Sequence, residues 1–432
     1  MRRTLGSWIF VVVVFLLDLY IFQVVKFLTQ WLSPKFRLGI HIFYWGISGA
    51  MILFMLMIPY QHVENWSKTV RTYAFAIFIG IFLAKLLALV FFLVDDLRRV
   101  IQWVGGKLFY GLAQGEEYKG VTISRSLFMS WMGFGLGSIF FGTLVYGFRN
   151  KYRYKVQNLD LSFNNLPAAF KGTRIVQISD IHSGSFMDKS AVQHGVDMIM
   201  AQKPDLILFT GDLVNDLAHE MDGYMDVFNK LRAPMGVYSI FGNHDYGDYH
   251  SWPDRDEEHK RREQLAGKHL LTPMQQANLD KLKGIHANLG WKLLLDEYVE
   301  LEKNGDKMAL LGVQNWSSKA RFPKYGDLKK AYEGSQDYPF KILMSHDPSH
   351  WDAQVKPMYP DIDLMLAGHT HGMQFGVEIP GFRWSPVQYV YKEWAGLYEE
   401  GKQKLYVNRG YGFIGYPGRV GILPEITVIE LT

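Results

Sequence analysis

Five apolar, strand-like runs of this chain each end in residues that bind metal ions or move protons. In one of them, residues 237–241 run directly into Gly242-Asn243-His244-Asp245. The other four runs end in Asp180-Ile181-His182, in Gly211-Asp212, in His346-Asp347 and in Gly368-His369-Thr370-His371. Because the carboxyl ends of buried parallel strands meet at one edge of a sheet, these side chains are predicted to share one site.

The donor types indicate a metal centre without sulfur. Carboxylate oxygens and imidazole nitrogens suit Mn²⁺, Fe or Zn²⁺. In the Asp-x-His and His-x-His pairs, residues i and i+2 of a strand point to the same side, so each pair is predicted to approach one centre. The candidates are too many for one tetrahedral ion and suffice for two ions that share a carboxylate. They are Asp180, His182, Asp212, Asn243, His346, His369 and His371.

Composition narrows the class of protein. A length of 432 residues predicts two or more domains. The net charge is only +4 and no basic stripe is present, so no nucleic-acid partner is expected. The chain contains no cysteine, which excludes disulfides and thiolate ligands but does not decide the compartment.

The first third of the sequence predicts an all-α transmembrane domain over residues 1–148. Its spans are residues 8–28, 38–59, 73–94 and 127–147, each long enough as a helix to cross a hydrocarbon core of ~30 Å. Arg2 and Arg3 are interpreted as charge flanking an uncleaved first span, rather than as part of a signal peptide or twin-arginine signal. Glycines in the fourth span, such as Gly133 and Gly137, are predicted to let helices approach closely. A large buried soluble domain is the less favoured alternative.

Charged residues inside this region carry two further predictions. Asp18 and Lys85 lie near the middle of the first and third spans, and they are predicted to pair inside the membrane. The alternative is that Lys85 reaches an interface and Asp18 is protonated. Residues 95–125 combine apolar residues at helical spacing with Arg98 and Arg99, which predicts an interfacial amphipathic helix.

After Arg149 the chain alternates strand-like with helix-like segments, which predicts an α/β domain. Residues 149–170 are predicted to be a linker with the first strand, and residues 171–432 the globular domain, with a charged insertion over residues 249–290. A helix is expected over residues 190–202. Another should start at Thr272-Pro273-Met274-Gln275 and stop at Gly290.

Taken together, the five motif blocks resemble, in order, the signature of the calcineurin-like metallophosphoesterases, over residues 171–432. The resemblance implies a four-layer α-β-β-α sandwich with a dimetal centre between its two sheets. It implies that the first ion is held by Asp180, His182, Asp212 and His371. Asp212 would bridge to a second ion, which is completed by Asn243, His346 and His369.

The same resemblance places His244 next to a ligand without making it one. His244 is predicted to donate to a phosphoryl oxygen or to protonate the leaving group, with Asp245 orienting its ring. Arg409 and Arg419 follow glycine-rich turns and are interpreted either as phosphate-binding residues or as structural ion-pair partners. The aromatic run over residues 384–394 is interpreted as core or rim in preference to a lipid groove.

The predicted function is that of a membrane-bound dimetal phosphohydrolase, for which a bilayer and two divalent ions are needed. The bond cleaved is a phosphodiester, a pyrophosphate or a phosphomonoester in a lipid-linked or nucleotide-lipid substrate. The UDP-diacylglucosamine pyrophosphatases are the sharpest comparison. The alternative is a membrane scaffold or sensor with a non-catalytic dimetal domain, which an intact ligand set disfavours. Basic residues at the membrane ends favour a cytoplasmic catalytic domain.

Overall fold

In this computed structural model, residues 2–58, 66–109, 125–266 and 269–432 are described. The chain divides into two compact units, Met1–Tyr146 and Gly147–Thr432. The helices of the first part are α1 (Arg2–Thr29), α2 (Pro34–Met57), α3 (Lys68–Phe109) and α4 (Arg125–Gly147). Among the described residues, these four are long and apolar enough to cross a membrane. Large apolar side chains cover much of their outer surface, as a lipid environment requires.

Small residues bring α3 and α4 into contact. A Cβ added at Gly137 would lie 2.9 Å from the carbonyl oxygen of Ala84, and one at Gly133 would lie 2.6 Å from the ring of Phe92. Substitution at Gly137 therefore requires the helices to move apart, whereas substitution at Gly133 displaces the Phe92 ring. The prediction of close approach is confirmed at these two positions.

The predicted charge pair inside the apolar helices is also present. Lys85 Nζ lies 2.5 Å from Asp18 Oδ1 and 3.1 Å from Ser48 Oγ. The hydroxyl of Tyr44 donates to the main-chain oxygen of Asp18 at 2.9 Å. The Asp18 side chain is fully buried. The pair and its two hydroxyl partners therefore tie α1, α2 and α3 together. The alternative that Lys85 reaches a membrane interface is wrong.

Removing either member of this pair should lower the melting temperature of the full chain in detergent. Asp18→Ala and Lys85→Ala each leave a lone charge among apolar helices, which costs about 2.5–3.5 kcal/mol on insertion scales. The double variant should lose less than the sum of the two single losses. Lys26→Ala is the control, since Lys26 is exposed and its ammonium donates to the exposed side chain of Gln23. Strictly additive losses would mean that the pair does not contribute stability.

One helix prediction needs correction. Residues 95–109 are not a separate interfacial helix, because α3 runs through them as one helix of 42 residues. The charges at this point neutralise each other on the helix surface: Asp95 accepts from Arg98 at 2.8 Å and from Arg99 at 3.0 Å. Residues 110–124 of that prediction lie outside the described residues.

The second part of the chain contains fourteen strands among its described residues. In chain order they are β1 (Lys155–Leu161), β2 (Arg174–Ile178), β3 (Leu206–Phe209), β4 (Val237–Ser239), β5 (Lys292–Leu293), β6 (Glu297–Lys303), β7 (Asp306–Gly312), β8 (Lys341–Met344), β9 (Leu364–Ala367), β10 (Val377–Ile379), β11 (Phe382–Trp384), β12 (Gly396–Glu400), β13 (Gln403–Val407) and β14 (Glu425–Leu431). The α-helices are α5 (Lys189–Ala201), α6 (Met225–Phe228), α7 (Glu257–Ala266), α8 (Pro273–Leu289), α9 (Leu328–Tyr332) and α10 (Lys356–Met358).

Twelve of these strands form two six-stranded sheets. The first has the order β1-β14-β2-β3-β4-β5, and its strands from β2 to β5 are parallel. The second has the order β12-β13-β9-β8-β7-β6, with a parallel centre and an antiparallel strand at each edge. The carboxyl ends of β2, β3 and β4 therefore meet at one edge, as do those of β8 and β9.

Three hydrophobic cores define the layers. Between the sheets, residues such as Ile175 and Leu206 pack with Ile342 and Leu364. The outer face of the first sheet is covered by α5, α6 and α8, and that of the second by α9 and a turn around Trp351. The predicted α-β-β-α sandwich is confirmed.

Helix α8 shows how local sequence sets this arrangement. Thr272 and Gln275 form a reciprocal capping box, Pro273 is the first helical residue, and Gly290 ends the helix in a left-handed conformation. These start and stop predictions are confirmed. The apolar face of α8, with Leu282 among its fully buried residues, belongs to the core of the first sheet.

Candidate metal centre

The seven predicted ligands converge at the carboxyl ends of five strands. Asp180 and His182 follow β2, Asp212 follows β3, and Asn243 follows β4. From the second sheet, His346 follows β8, while His369 and His371 follow β9. All seven are buried except His369, which is half-buried. The site thus lies where the two sheets face each other, and each sheet supplies part of it.

The distances place one carboxylate between two groups of donors. On one side, His182 Nε2 lies 3.0 Å from His371 Nε2, and His371 Nε2 lies 3.2 Å from Asp180 Oδ1. Asp212 Oδ2 lies 3.6 Å from His182 Nε2 and 3.0 Å from His346 Nε2. Asp212 therefore reaches the histidines of both groups.

The second group is completed by an amide. His369 Nδ1 lies 2.7 Å from Asn243 Oδ1. Donor atoms of Asp212, His346 and His369 lie within 4.8 Å of one another, as do those of Asp180, His182 and His371. Two clusters that share access to one carboxylate are the arrangement that a bridged pair of ions needs.

The backbone at these positions is strained. Five of the ligands adopt a left-handed conformation with positive φ: Asp180, His182, Asp212, His369 and His371. Such a conformation costs a non-glycine residue on the order of 1–3 kcal/mol and recurs at functional sites. It also corrects the prediction that strand alternation aligns the i and i+2 pairs. Asp180 and His182 lie beyond β2, and alternate left-handed residues in the loop turn both side chains inward.

The donor set fits a pair of divalent cations. Burial alone would raise the pKa of Asp180, but His371 and His346 hold that pKa below its usual value, so the carboxylate is ionised. Burial lowers the pKa of His182 and of His369, so both imidazoles are neutral, which is the metal-binding form. His346 Nδ1 meets the carbonyl oxygen of Thr210 at 2.7 Å, which turns Nε2 toward Asp212. Burial would lower the pKa of His346, but the carboxylates of Asp212 and Asp180 raise it to about 10, so this ring would release a proton on binding an ion. Ionised carboxylates facing the neutral rings of His182 and His369 form a cation site here.

His244 lies beside this centre and lines the space above it. Its Nδ1 meets the main-chain oxygen of Asn215 at 2.7 Å. A carbonyl oxygen only accepts hydrogen bonds, so Nδ1 carries the proton and Nε2 is left for the cavity. Asn215 thus orients the ring.

Asp245 has a different role from the one predicted. Its carboxylate accepts hydrogen bonds from the backbone N–H groups of Gly242 at 2.8 Å, Asp212 at 2.9 Å and Leu213 at 2.8 Å. The prediction that Asp245 orients the His244 ring is therefore wrong. Asp245 instead fixes the backbone of the loop that carries Asp212 to the loop that carries Asn243.

Two tyrosines and an aspartate next to the ligands were not predicted as part of the site. The hydroxyl of Tyr391 lies 2.8 Å from His369 Nε2 and donates to Asp347 Oδ2 at 3.1 Å. The Tyr249 hydroxyl accepts from Asn243 Nδ2 at 2.9 Å, which points Oδ1 of that amide toward the centre. The position of Asp347 directly after His346 was the one signal in the sequence for this outer layer.

Arg409 and Arg419 have structural roles. Arg409 forms ion pairs with Glu378 and Glu425. Arg419 is fully buried and donates to the carbonyl oxygens of Arg409 at 2.7 Å and Gly412 at 2.5 Å. The ion-pair interpretation is confirmed for Arg409, whereas Arg419 is structural through hydrogen bonds to carbonyl oxygens.

A cavity of about 610 Å³ opens onto the donor cluster. Its lining includes His182, Asp212, Asn243, His244, His369 and His371. Apolar side chains, among them Phe322, Val387 and Ile414, form the apolar wall of the same cavity, and Arg321 also lines it. A cavity lined by both metal-binding and apolar side chains suits a phosphate ester whose other substituent is apolar.

Comparison with known sequences places the chain in a family. Residues 173–373 match the profile described as "Calcineurin-like phosphoesterase", and residues 1–151 match "Probable Calcineurin-like phosphoesterase, transmembrane domain". The chain therefore belongs to the calcineurin-like phosphoesterase family, and it is a membrane protein. The resemblance drawn from the five motif blocks is confirmed.

Individual relatives agree with this assignment. A Danio rerio protein named "Transmembrane protein with metallophosphoesterase domain" is 29% identical over 66% of this chain and 60% of its own length. The "Uncharacterized metallophosphoesterase YkuE" of Bacillus subtilis is 31% identical over 62% of this chain and 81% of its own. The "UDP-2,3-diacylglucosamine pyrophosphatase LpxG" of Chlamydia muridarum is 27% identical over 60% of this chain and 83% of its own. The chain thus spans less than two thirds of the Danio rerio relative.

Proposed function

We propose that this chain is a membrane-bound dimetal phosphohydrolase. The observation that carries the proposal is the position of Asp212, whose carboxylate lies between His182 and His346. One ion would be held by Asp180, His182, Asp212 and His371, and the other by Asp212, Asn243, His346 and His369. When bound, the two ions supply an activated water and neutralise charge on the phosphoryl oxygens.

The proton chemistry is assigned to His244. With Nδ1–H held by the Asn215 carbonyl, Nε2 carries a proton only when the ring is imidazolium, and in that form it donates to the phosphoryl oxygen or gives its proton to the oxygen of the leaving group. Asp245 keeps the two ligand loops at a fixed separation through its three backbone hydrogen bonds. Tyr391 and Asp347 hold the ring of His369 in place.

The substrate class proposed is a lipid-linked or nucleotide-lipid phosphate, cleaved at a phosphodiester, pyrophosphate or phosphomonoester bond. Three observations support it: four apolar helices anchor the chain in a bilayer, the cavity has an apolar wall, and a relative is named as a diacylglucosamine pyrophosphatase. An enzyme held at the membrane gains most when its substrate is held there too. UDP-diacylglucosamine is therefore the first candidate to assay.

The experiment that tests the activity uses the purified full chain and bis-p-nitrophenyl phosphate. Turnover should require added Mn²⁺, Fe²⁺ or Zn²⁺ and should be lost in Asp180→Ala. Bound ions without turnover by the wild-type chain would favour the alternative, a scaffold or sensor with a non-catalytic dimetal domain. If the wild-type chain does turn over bis-p-nitrophenyl phosphate, a screen of extracted membrane lipids for metal-dependent turnover would identify the natural leaving group.

The catalytic domain is proposed to face the cytoplasm. Protease added to intact spheroplasts of an expressing bacterium should leave the domain uncut, whereas lysed spheroplasts should lose it. The physical reason is that Arg and Lys residues next to the ends of membrane spans are retained on the cytoplasmic side, and such residues lie before the first span and after the fourth. Cleavage in intact spheroplasts would reverse the topology and direct the substrate search to the outer face.

A further inference from the structure

A two-stranded hairpin near the cavity has an unusual distribution of polarity. Strands β10 and β11 are antiparallel, with Val377 opposite Trp384, Glu378 opposite Arg383, and Ile379 opposite Phe382. Opposite residues share a face and successive residues alternate between faces. One face of the hairpin is therefore wholly apolar, and the other carries an acid and a base.

The polar face of this hairpin is the one fixed to the domain. Glu378 forms an ion pair with the buried Arg409. Arg383 donates to the carbonyl oxygen of Ala395, and its guanidinium lies 5.3 Å from the centre of the Trp394 ring. Both charged residues of the hairpin are thus held by groups of the domain, although Arg383 itself stays exposed.

Three of the four side chains on the apolar face are largely exposed, and the fourth, that of Trp384, is half-buried. Val377 is 42% exposed, Ile379 59% and Phe382 54%. A half-buried antiparallel sheet in water normally has the reverse arrangement, with apolar residues inward and polar residues outward. Leaving this face in water forfeits the free energy that the ordinary arrangement gains from burial.

The hairpin adjoins an exposed apolar segment beside the cavity, because Trp384 Nε1 lies 3.5 Å from the Tyr389 hydroxyl. Met373, Tyr389 and Val390 are also largely exposed, and Met373 and Val390 line the cavity themselves. Tyr389 is 78% exposed. We call this surface the apolar rim, and it consists of Met373, Val377, Ile379, Phe382, Tyr389 and Val390. Contiguous apolar patches of this kind mark membrane or protein contacts.

We propose that the apolar rim inserts into the interfacial layer of a lipid bilayer. The four apolar helices of the chain are suited to anchor it in a bilayer, so a bilayer surface is available to the rim without any further partner. Trp384 and Tyr389 are of the types that concentrate at the membrane interface. A protein seated on the rim would cover Met373 and Val390 and close the cavity mouth, whereas a fluid bilayer leaves the mouth open to lipids.

Rim insertion also specifies how a substrate arrives, and this consequence rests on the proposed phosphohydrolase function. An acyl-bearing phosphate could move from the interface along the rim into the cavity without exposing its chain to water. The apolar wall formed by Val387 and Ile414 would then receive the part of the molecule next to the phosphate. The substrate class is accordingly one that resides in the bilayer.

The depth of the rim can be measured directly, because the chain has no cysteine of its own. Ile379→Cys in the full chain, labelled with an environment-sensitive fluorophore, is placed in phosphatidylcholine/phosphatidylglycerol nanodiscs. The matched control is Met358→Cys, since Met358 is also apolar and is 60% exposed. An interfacial segment lies roughly 5–10 Å deep, so a doxyl group near the lipid headgroup should quench the Ile379 label strongly and the control label little.

Two results would overturn the proposal. Equal quenching of both labels by iodide in water, with none by doxyl lipid, would place the rim in solvent. Shielding of the Ile379 label from both quenchers would mean that a protein, or a second copy of this chain, covers the rim. Neither reading depends on whether the chain has enzymatic activity.

Activity provides the second arm of the test. The double variant Ile379→Asp, Phe382→Asp should lose on the order of tenfold in turnover of p-nitrophenyl hexadecyl phosphate embedded in nanodiscs, because charged side chains oppose insertion. Its turnover of the soluble bis-p-nitrophenyl phosphate should be unchanged. Undiminished turnover of the embedded probe would overturn the role of the rim in substrate access. If the wild-type chain hydrolyses neither probe, the proposed phosphohydrolase function is contradicted. The result of the quenching experiment on rim depth is unaffected by that outcome.

Discussion

Asp212→Ala should release both metal ions from the purified chain. Its carboxylate lies between His182 and His346, so its loss removes a ligand from each proposed ion at once. Metal analysis should find close to two ions per wild-type chain and close to none in the variant. Turnover should fall on the order of 10³-fold or more, since metal assistance is worth several kcal/mol of transition-state stabilisation.

The control for this change is Asp226→Ala. Asp226 pairs with Lys189 at the surface, at 2.7 Å, and removing it should leave both ions in place. Two ions retained in Asp212→Ala would contradict the bridging assignment. One ion retained would restrict Asp212 to a single ion and require another residue to act as the bridge.

His244→Ala should have the second large effect, and it should spare the metals. The ring is held by the Asn215 carbonyl and is proposed to act on the reacting phosphate, so kcat should fall by about 10²–10⁴-fold with metal content unchanged. His219→Ala is a suitable control, because His219 is exposed. Lost metal with normal turnover per remaining dimetal centre would make His244 a ligand instead.

The leaving group distinguishes the two roles proposed for His244. p-Nitrophenolate departs readily without a proton, whereas an alkoxide needs one. If His244 protonates the leaving group, the loss should be much greater for an alkyl phosphodiester than for bis-p-nitrophenyl phosphate. If it donates to the phosphoryl oxygen, the two losses should be similar.

The location of the site could be predicted because it depends on a general property of parallel sheets. Polar residues within three positions of Ile178, Phe209 and Ala367 had to gather at the strand ends, whatever the details of the loops. The way in which Asp180 and His182 turn inward could not be predicted from strand alternation. Asp and His adopt the left-handed conformation more readily than most residues, but this weak preference does not indicate that both residues of the pair adopt it.

Roles that depend on contacts distant in sequence were also beyond prediction. Asp245 was expected to orient its neighbour His244, but its carboxylate instead accepts hydrogen bonds from the backbone N–H groups of Asp212 and Leu213. The alternation in Val377-Glu378-Ile379 is visible in the sequence. Which of its faces points inward is decided by Arg409, which lies far along the chain.

The pairing of Asp18 with Lys85 was predictable because the rise of a helix is fixed. Counting residues along the first and third spans places Asp18 and Lys85 at similar depths in the membrane. Because a lone charge at that depth is costly, the two residues are expected to pair. The fate of the Asp95 cluster was not predictable from charge alone. Its ion pairs with Arg98 and Arg99 let α3 continue where the sequence suggested a new element.

The Asp18–Lys85 pair has a consequence for biogenesis. The two residues are 67 positions apart, so at a synthesis rate of about 5–20 residues per second Asp18 is made roughly 3–13 s before Lys85. During that interval α1 carries a buried carboxylate without its cation. We therefore expect α1 to remain at the insertion machinery until α3 emerges, and α1, α2 and α3 to enter the lipid together. Nascent chains stalled before residue 85 should be extracted by alkali, whereas chains stalled well after α3 should resist it.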